Sequence, residues 1–381
     1  MVREWLNELR TRGMSLGLEN TQIALKRLGQ PQFSAPSIHV AGSNGKGTAC
    51  AIISGALILS GMKTGTFTSP HVARIEERIR IDGVPISAAE LNQALLQIKN
   101  LQMDLTMFEV TWLAACILFE QHSVDIMVVE TGLGGRLDAT KTCNSVACLV
   151  TSISLEHTEI LGENIVDIAL EKAAIAEDGA PLVMKMLDYG LEEIESRYDV
   201  EWVSIGDEDF RREAALLARV VLQKANLDTA ADLVDKAESK VRWPARMQTI
   251  IVDGREFLLD SAHNPSAMQR LCKSLEKIIS KREWSLIFGC SPQADLDDML
   301  SPMKDLISRY PPIDVVCTES PSGRYPAVDS KLLKMGRAIK DPNEALLQVQ
   351  GDFIISCGSL YLQGDLLKAI GWDSDENLSL F

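Results

Sequence analysis

The stretch SIHVAGSNGKGTACAIISGALILSG, residues 37–61, constrains this chain more than any other. An apolar run ending at Ala41 predicts a strand, a glycine-rich turn follows, and small and apolar residues from Lys46 predict a well-buried helix. A strand that enters a helix through glycines brings successive backbone N–H groups and a helix N-terminus to one spot, which makes an anion site. The usual phosphate loop reads G-x-x-x-x-G-K-[ST]. HVAGSNGKGT departs from it twice, with Val40 in place of the first glycine and Gly47 inserted between Lys46 and Thr48. Lys46 can still reach terminal phosphates as a point charge, and Thr48 can place its hydroxyl on a magnesium ion if Gly47 resets the turn. A glycine-rich turn carrying a solvated lysine is the competing reading, and the order strand, loop, helix favours phosphate.

The same alternation of short apolar runs and amphipathic stretches continues downstream, which predicts an α/β protein with a mainly parallel sheet. Strands are expected at Ser37–Ala41, Gly65–Thr68, Asp125–Glu130, Ala147–Ser152, Pro181–Met186 and Trp202–Ile205, and helices at Lys46–Ser60, Ala88–Lys99, Phe108–Gln121 and Ile165–Ala176. Residues 207–240 read as two helices. VRWPARMQ then breaks the pattern at Pro244, and Asp253-Gly254 between two β-rich runs signals a hairpin. A second α/β series follows, with strands expected at Trp284–Gly289, Asp314–Thr318 and Asp352–Cys357. The expected domains are therefore 1–242, which carries the phosphate loop, and a smaller 243–381.

A formal net charge of −15 argues against nucleic acid as the main ligand, whose sequence-independent affinity needs a basic surface. No apolar run has the length of a membrane span, and MVREWLNELR lacks the apolar segment of a signal peptide. Eight cysteines without a C-x-x-C pair, several in apolar runs, are used like buried thiols of a reducing compartment. A cytoplasmic protein, without membrane or nucleic-acid partners, is expected.

HVAGSNGKGT, TSPHVARIEERIRIDG, TMFEVTWLAA, VVETGLGGRLDATK, TSISLEHTEILG, EKAAIA, PARMQ, DSAHNP and CGSLYL occur in this order and cover most of the chain. Together they resemble the folylpolyglutamate synthase and dihydrofolate synthase family of the Mur-ligase superfamily, whose loop carries the intervening glycine as G-x-x-G-K-G-[ST]. The resemblance implies an ATPase domain plus a smaller Rossmann-like C-terminal domain, with ATP and two Mg2+ ions. It makes Asn44, Gly45, Lys46, Gly47 and Thr48 nucleotide contacts.

Glu130 ends an apolar strand, where a ligand crevice of an open α/β sheet lies; a carboxylate there can hold magnesium, or can simply be a surface strand end. The resemblance makes Glu130 a metal ligand with Thr48 and His157, although Glu156-His157-Thr158 stands where the family has Asp-His-Thr. Lys172 alone reads as a helix-surface lysine. In similar proteins the lysine of E-K-A-G-I is carbamylated, and Ala174 replaces that glycine here. Ser69 and His71 lie in a proline-stiffened loop suited to substrate contact. Arg246, Asp260 and His263 become nucleotide contacts by resemblance, while Asn264-Pro265 also reads as a helix start. The stretches EDFRREAALLA and FGCSPQADLDDM depart from the family pattern.

The function implied is ATP-dependent joining of L-glutamate to a folate-type carboxylate through an acyl phosphate, with Lys46, His157 and Lys172 as catalytic residues, in a monomer acting on small molecules. Another amide ligase of the superfamily and a nucleotide-binding protein without catalysis are the alternatives.

Overall fold

The computed structural model describes the whole chain except residues 1, 11–16, 177–178, 207, 295 and 324. Ser37–Ala41 forms β1, and all of its residues are buried because it lies between strands and under helices on both faces. It belongs to a sheet with β2 (Thr64–Phe67), β3 (Ile79–Ile81), β4 (Val84–Pro85), β5 (Ile126–Glu130), β6 (Ser145–Val150), β7 (Leu182–Lys185) and β8 (Val200–Val203). The order is β4-β3-β2-β5-β1-β6-β7-β8. Only the pairings of β3 with β2 and with β4 are antiparallel. Neighbours β5 and β6 flank β1 in parallel, so the chain ends of all three strands open onto one edge.

The second sheet contains β9 (Gln248–Val252), β10 (Arg255–Leu259), β11 (Ser285–Phe288), β12 (Asp314–Cys317), β13 (Arg337–Ala338) and β14 (Phe353–Cys357), ordered β13-β12-β11-β14-β10-β9. The β9–β10 hairpin is its one antiparallel pairing. Its core has Leu271, Leu275, Trp284 and Met303 on one face and Phe257, Ile354, Leu362 and Leu366 on the other.

The chain divides into two compact units, one of Met1–His71, Glu76–Arg242 and Ser379–Phe381, the other of Val72–Ile75 and Trp243–Leu378. The single cut expected at 242 therefore misses two exchanges. Ala73 is buried in the second core, and Gly364 lets the Val72 carbonyl approach so closely that an added Cβ would lie 2.0 Å from it. Leu380 returns to the first unit, where its carbonyl accepts from Arg242 N at 2.7 Å and its N–H donates to Gly83 O at 3.0 Å.

Two further expectations change. The stretch thought to hold two helices holds three, Phe210–Lys224, Asp228–Asp232 and Val234–Lys240, because the apolar pattern is interrupted only by short turns; Asp207 lies outside the described residues. Strands β3 and β4 were not expected, although Asp82-Gly83 between them is the same turn signal as Asp253-Gly254. All four turn residues have positive φ (48° and 80°, 51° and 79°), as a tight hairpin requires. Among the described residues no helix is long and apolar enough to cross a membrane, and all eight cysteines are buried and free.

Candidate active site

The glycine loop leaves β1 at Gly42, whose φ is +142°; a Cβ there would sit 1.9 Å from Thr151 Oγ1, so only glycine lets the ends of β1 and β6 draw together. The Thr151 hydroxyl donates to Asn44 O at 2.8 Å, the Ser152 hydroxyl to the same oxygen at 3.0 Å, and Ser43 N to Ser152 O at 2.7 Å. Gly45, at φ +88°, ends the turn, and the helix Lys46–Leu59 starts at the next residue. Lys46, Gly47 and Thr48 thus form the first turn, where backbone N–H groups have no intrahelical acceptors.

Two ammonium groups meet at the start of this loop. Lys46 Nζ donates to Gly42 O at 2.8 Å and Lys172 Nζ to the same carbonyl at 3.1 Å. Lys172 is 2% exposed, not the helix-surface lysine its sequence context suggests, and pairs with Glu156 at 2.8 Å. Burial holds the Lys172 ammonium below the ordinary lysine range, against the opposing pull of Glu156. Burial pushes the Glu156 carboxyl up, but Lys172 and then Lys46 outweigh it and hold that carboxyl below its usual range. We read the pair as charged, since each partner is the main electrostatic support of the other.

The glycine-rich loop after Glu130 packs beneath Lys172. A Cβ on Gly135 would lie 2.8 Å from the carbonyls of both Glu171 and Lys172, and Arg136 N donates to Glu171 O at 3.1 Å. Asp138 shapes this loop by accepting from Gly132 N and Leu133 N, each at 2.9 Å, and from Thr140 N at 3.0 Å. Thr140 Oγ1 is 2.8 Å from His39 Nε2 on β1, and burial drives the His39 pKa down to about 3, so that imidazole is neutral.

Glu130 closes the other side. It is 5% exposed, not a surface strand end, and its Oε2 accepts from Ser69 N at 2.9 Å across the neighbouring strands β5 and β2. His71 Nδ1 accepts from Arg78 Nε at 3.0 Å. His157 is 49% exposed, with φ of 45°, and its Nδ1 is 3.7 Å from Glu159 Oε1. Among the described residues no three His, Cys, Asp or Glu side chains gather as a metal cage. Magnesium suits that arrangement, since it binds through one or two carboxylates plus phosphates and water. A buried carboxylate and a helix-first-turn hydroxyl beside two lysines fit a nucleotide with its metal.

In the second unit, Asp260 Oδ2 accepts from Met247 N at 2.9 Å and Oδ1 from Ala262 N at 2.8 Å. Burial raises the Asp260 carboxyl, opposed by Arg246 and by those N–H groups. Arg246 donates to Ala245 O at 3.1 Å, between two non-glycine residues of positive φ, Ala245 and Met247. His263 Nδ1 lies 2.8 Å from Ser261 O, and Asn264 caps the helix Pro265–Ile279 through Ala267 N at 2.8 Å.

The dihydrofolate synthase/folylpolyglutamate synthase of Haemophilus influenzae is 30% identical to this chain over 346 residues, covering 78% of each. The chain belongs to this family. Residues 245–360 match the model of the Mur ligase glutamate ligase domain. The solved structure of E. coli FolC in complex with DHPP and ADP has a TM-score of 0.85 at 25% identity over 97% of both chains. A bifunctional folylpolyglutamate synthase/dihydrofolate synthase with Mn, AMPPNP and L-glutamate bound has a TM-score of 0.83 at 26% identity, covering 97% of this chain and 98% of its own.

Within this family frame, the structure brings Lys46, Lys172 and the Asn44–Thr48 loop together, with Glu130 beside Ser69 one strand further on. Sequence reasoning missed three contributors: the Gly42 carbonyl, Asp138, and Glu156 as the partner of Lys172. Asp138 lay inside a quoted motif, and its position between glycines and a threonine, the pattern of a loop-tying acceptor, was a usable signal. Nothing in the spacing of Glu156 and Lys172 announces their contact.

Proposed function

We propose that this chain joins L-glutamate to the carboxylate of a folate precursor, with ATP supplying the γ-phosphoryl group and an acyl phosphate as the intermediate. The observation that carries it is the convergence of Lys46 and Lys172 on Gly42 O at the head of the phosphate loop. A carboxylate is a poor electrophile, and phosphorylating it supplies the leaving group that the glutamate amine displaces. Lys46 and the first-turn N–H groups hold the transferring phosphoryl group and meet its developing charge. Ser69 N orients Glu130 through their 2.9 Å hydrogen bond. Glu130, Thr48 and His157 would hold magnesium, two ions in all, which when bound neutralises charge between the β- and γ-phosphates. Ser69 and His71 contact the folate-type acceptor, and Arg246, Asp260 and His263 contribute nucleotide contacts.

Lys172 is a carbamylation candidate, because its buried amine is held below the ordinary lysine range and so loses its proton more readily. The modification would turn a cation into an anion beside Glu156, and Lys46 with the metal would have to balance both. Intact mass without the adduct overturns this part alone. The whole proposal is tested by glutamate-dependent ADP release with dihydropteroate and, separately, with tetrahydrofolate. Turnover with one or both is expected, and its absence with both overturns the reading.

A further inference from the structure

His39 is a fully buried imidazole in the middle of β1, just ahead of Gly42, and the chemistry above gives it no task. Burial, then the charge of Lys141, drives its pKa down to about 3, so the ring stays neutral. Its Nε2 meets the Thr140 hydroxyl at 2.8 Å, while its Nδ1 is buried without a hydrogen-bond partner. An apolar side chain would fill this place between the strands without an unpaired nitrogen. Packing alone therefore does not account for a histidine there.

The bonds around Asp138 fix which way each proton points. Its carboxyl is met by the backbone N–H groups of Gly132, Leu133 and Thr140 and by the Thr140 hydroxyl. Burial raises this carboxyl, and those donors oppose the rise. N–H groups can only donate, so the carboxylate is the form that satisfies every contact at once. The Thr140 hydroxyl then gives its proton to Asp138 and accepts from His39. That makes His39 the Nε2–H tautomer and leaves Nδ1 as the bare nitrogen.

Asp138 in turn holds the loop on which Lys172 rests. Gly135 lies against the carbonyls of Glu171 and Lys172, and Arg136 N donates to Glu171 O at 3.1 Å. At its other end Lys172 donates from Nζ to Gly42 O at 3.1 Å. The segment from His39 to Gly42 thus holds Lys172 twice, at its ammonium through Gly42 and beneath its backbone through His39, Thr140 and Asp138. We infer that His39 is a positioning residue, whose single Nε2–H bond locks residues 132–138 and so fixes the Lys172 ammonium at the head of the phosphate loop. The step from that placement to turnover rests on the ligase reading above.

His39→Leu keeps an apolar side chain in the core and loses the bond, and Thr140→Val removes the hydroxyl at nearly constant shape. Each should lower kcat for glutamate-dependent ADP release about tenfold and leave KM for ATP unchanged. His39→Leu should melt no lower than wild type. The double variant should lose no more kcat than either single one, because both break the same connection. His39→Gln, whose amide nitrogen takes the place of Nε2, should restore most of kcat, and the shorter His39→Asn should not. Labelling of lysines with acetic anhydride, read by peptide mass, follows Lys172 without turnover. Lys172 should be protected in wild type and His39→Gln and react faster in His39→Leu and Thr140→Val. Wild-type kcat and wild-type protection of Lys172 in folded His39→Leu overturn the inference, whatever its melting temperature. If His39→Leu does not fold, Thr140→Val carries the same comparison. A wild type without turnover overturns the ligase reading, and the labelling still decides the role of His39.

Discussion

The two sheets are built alike, mainly parallel with one antiparallel edge, yet their loop-bearing edges spend charge differently. In the first, Lys46 and Lys172 converge on one carbonyl and Glu156 pairs with Lys172. In the second, Asp260 and Asn264 are taken up by backbone N–H groups of their own loops, and Asp365 by the hydroxyls of Ser320 and Ser322. The same architecture therefore sets charges against one another at one edge, and ties them to backbone and hydroxyl groups at the other. A fold alone does not distinguish the two.

Lysine substitutions in the first cluster should have the largest effects. Lys46→Ala removes a partly exposed cation and should lower kcat about 10²- to 10³-fold with little change in melting temperature. Lys172→Met should lower activity similarly, but it also strands Glu156 without its partner and should cost roughly 3–5 kcal/mol of stability. Steady-state kinetics and thermal denaturation of both variants separate the two roles. Lys172→Met that is destabilised but fully active would make Lys172 frame rather than cluster, and the contrast between the sheets would weaken.

Acid titration sharpens the contrast further, because the two regions should respond with opposite sign. Glu156 is held below its ordinary range, so the unfolded chain takes up its proton first. Its stabilising contribution is complete above the ordinary carboxylate pKa and is lost as pH falls through the folded value. Asp260 is raised, so the folded chain takes up its proton first, and stability falls as pH rises from the ordinary aspartate value through the raised one. Thermal denaturation between about pH 3 and 6 should show a shallower acid loss in Glu156→Gln and a steeper one in Asp260→Asn. Identical profiles for the two variants would remove the distinction.

The sequence shows these regions unequally for physical reasons. Strand β1 and its loop are consecutive residues, and the β9–β10 hairpin is announced by Asp253-Gly254, so both follow from local rules. The β3–β4 hairpin was equally local, since Asp82-Gly83 carries the same signal, but its strands are too short to stand out as apolar runs. The burial of Lys172 is different. It depends on Gly135 admitting the backbone of the helix Ile165–Ala173, and on Glu156 arriving from the end of another strand. The place of Val72–Ile75 in the second unit likewise depends on Gly364, far away in the chain. Such contacts are set by tertiary packing, which periodicity does not encode.

The smallest expected effect tests the frame itself. Asn264 accepts from Ala267 N as the cap of the helix Pro265–Ile279, and Pro265 already fixes the first helical φ. Asn264→Ala should therefore cost about 1 kcal/mol in denaturant unfolding and leave kcat and KM for ATP unchanged. Asn264→Asp, which keeps an acceptor at the cap and adds a negative charge at a helix N-terminus, should restore that stability. A rise in KM for ATP in the alanine variant, not reversed by aspartate, would place Asn264 among the nucleotide contacts. Asn264 would then be a binding group where only a loop-tying one is expected.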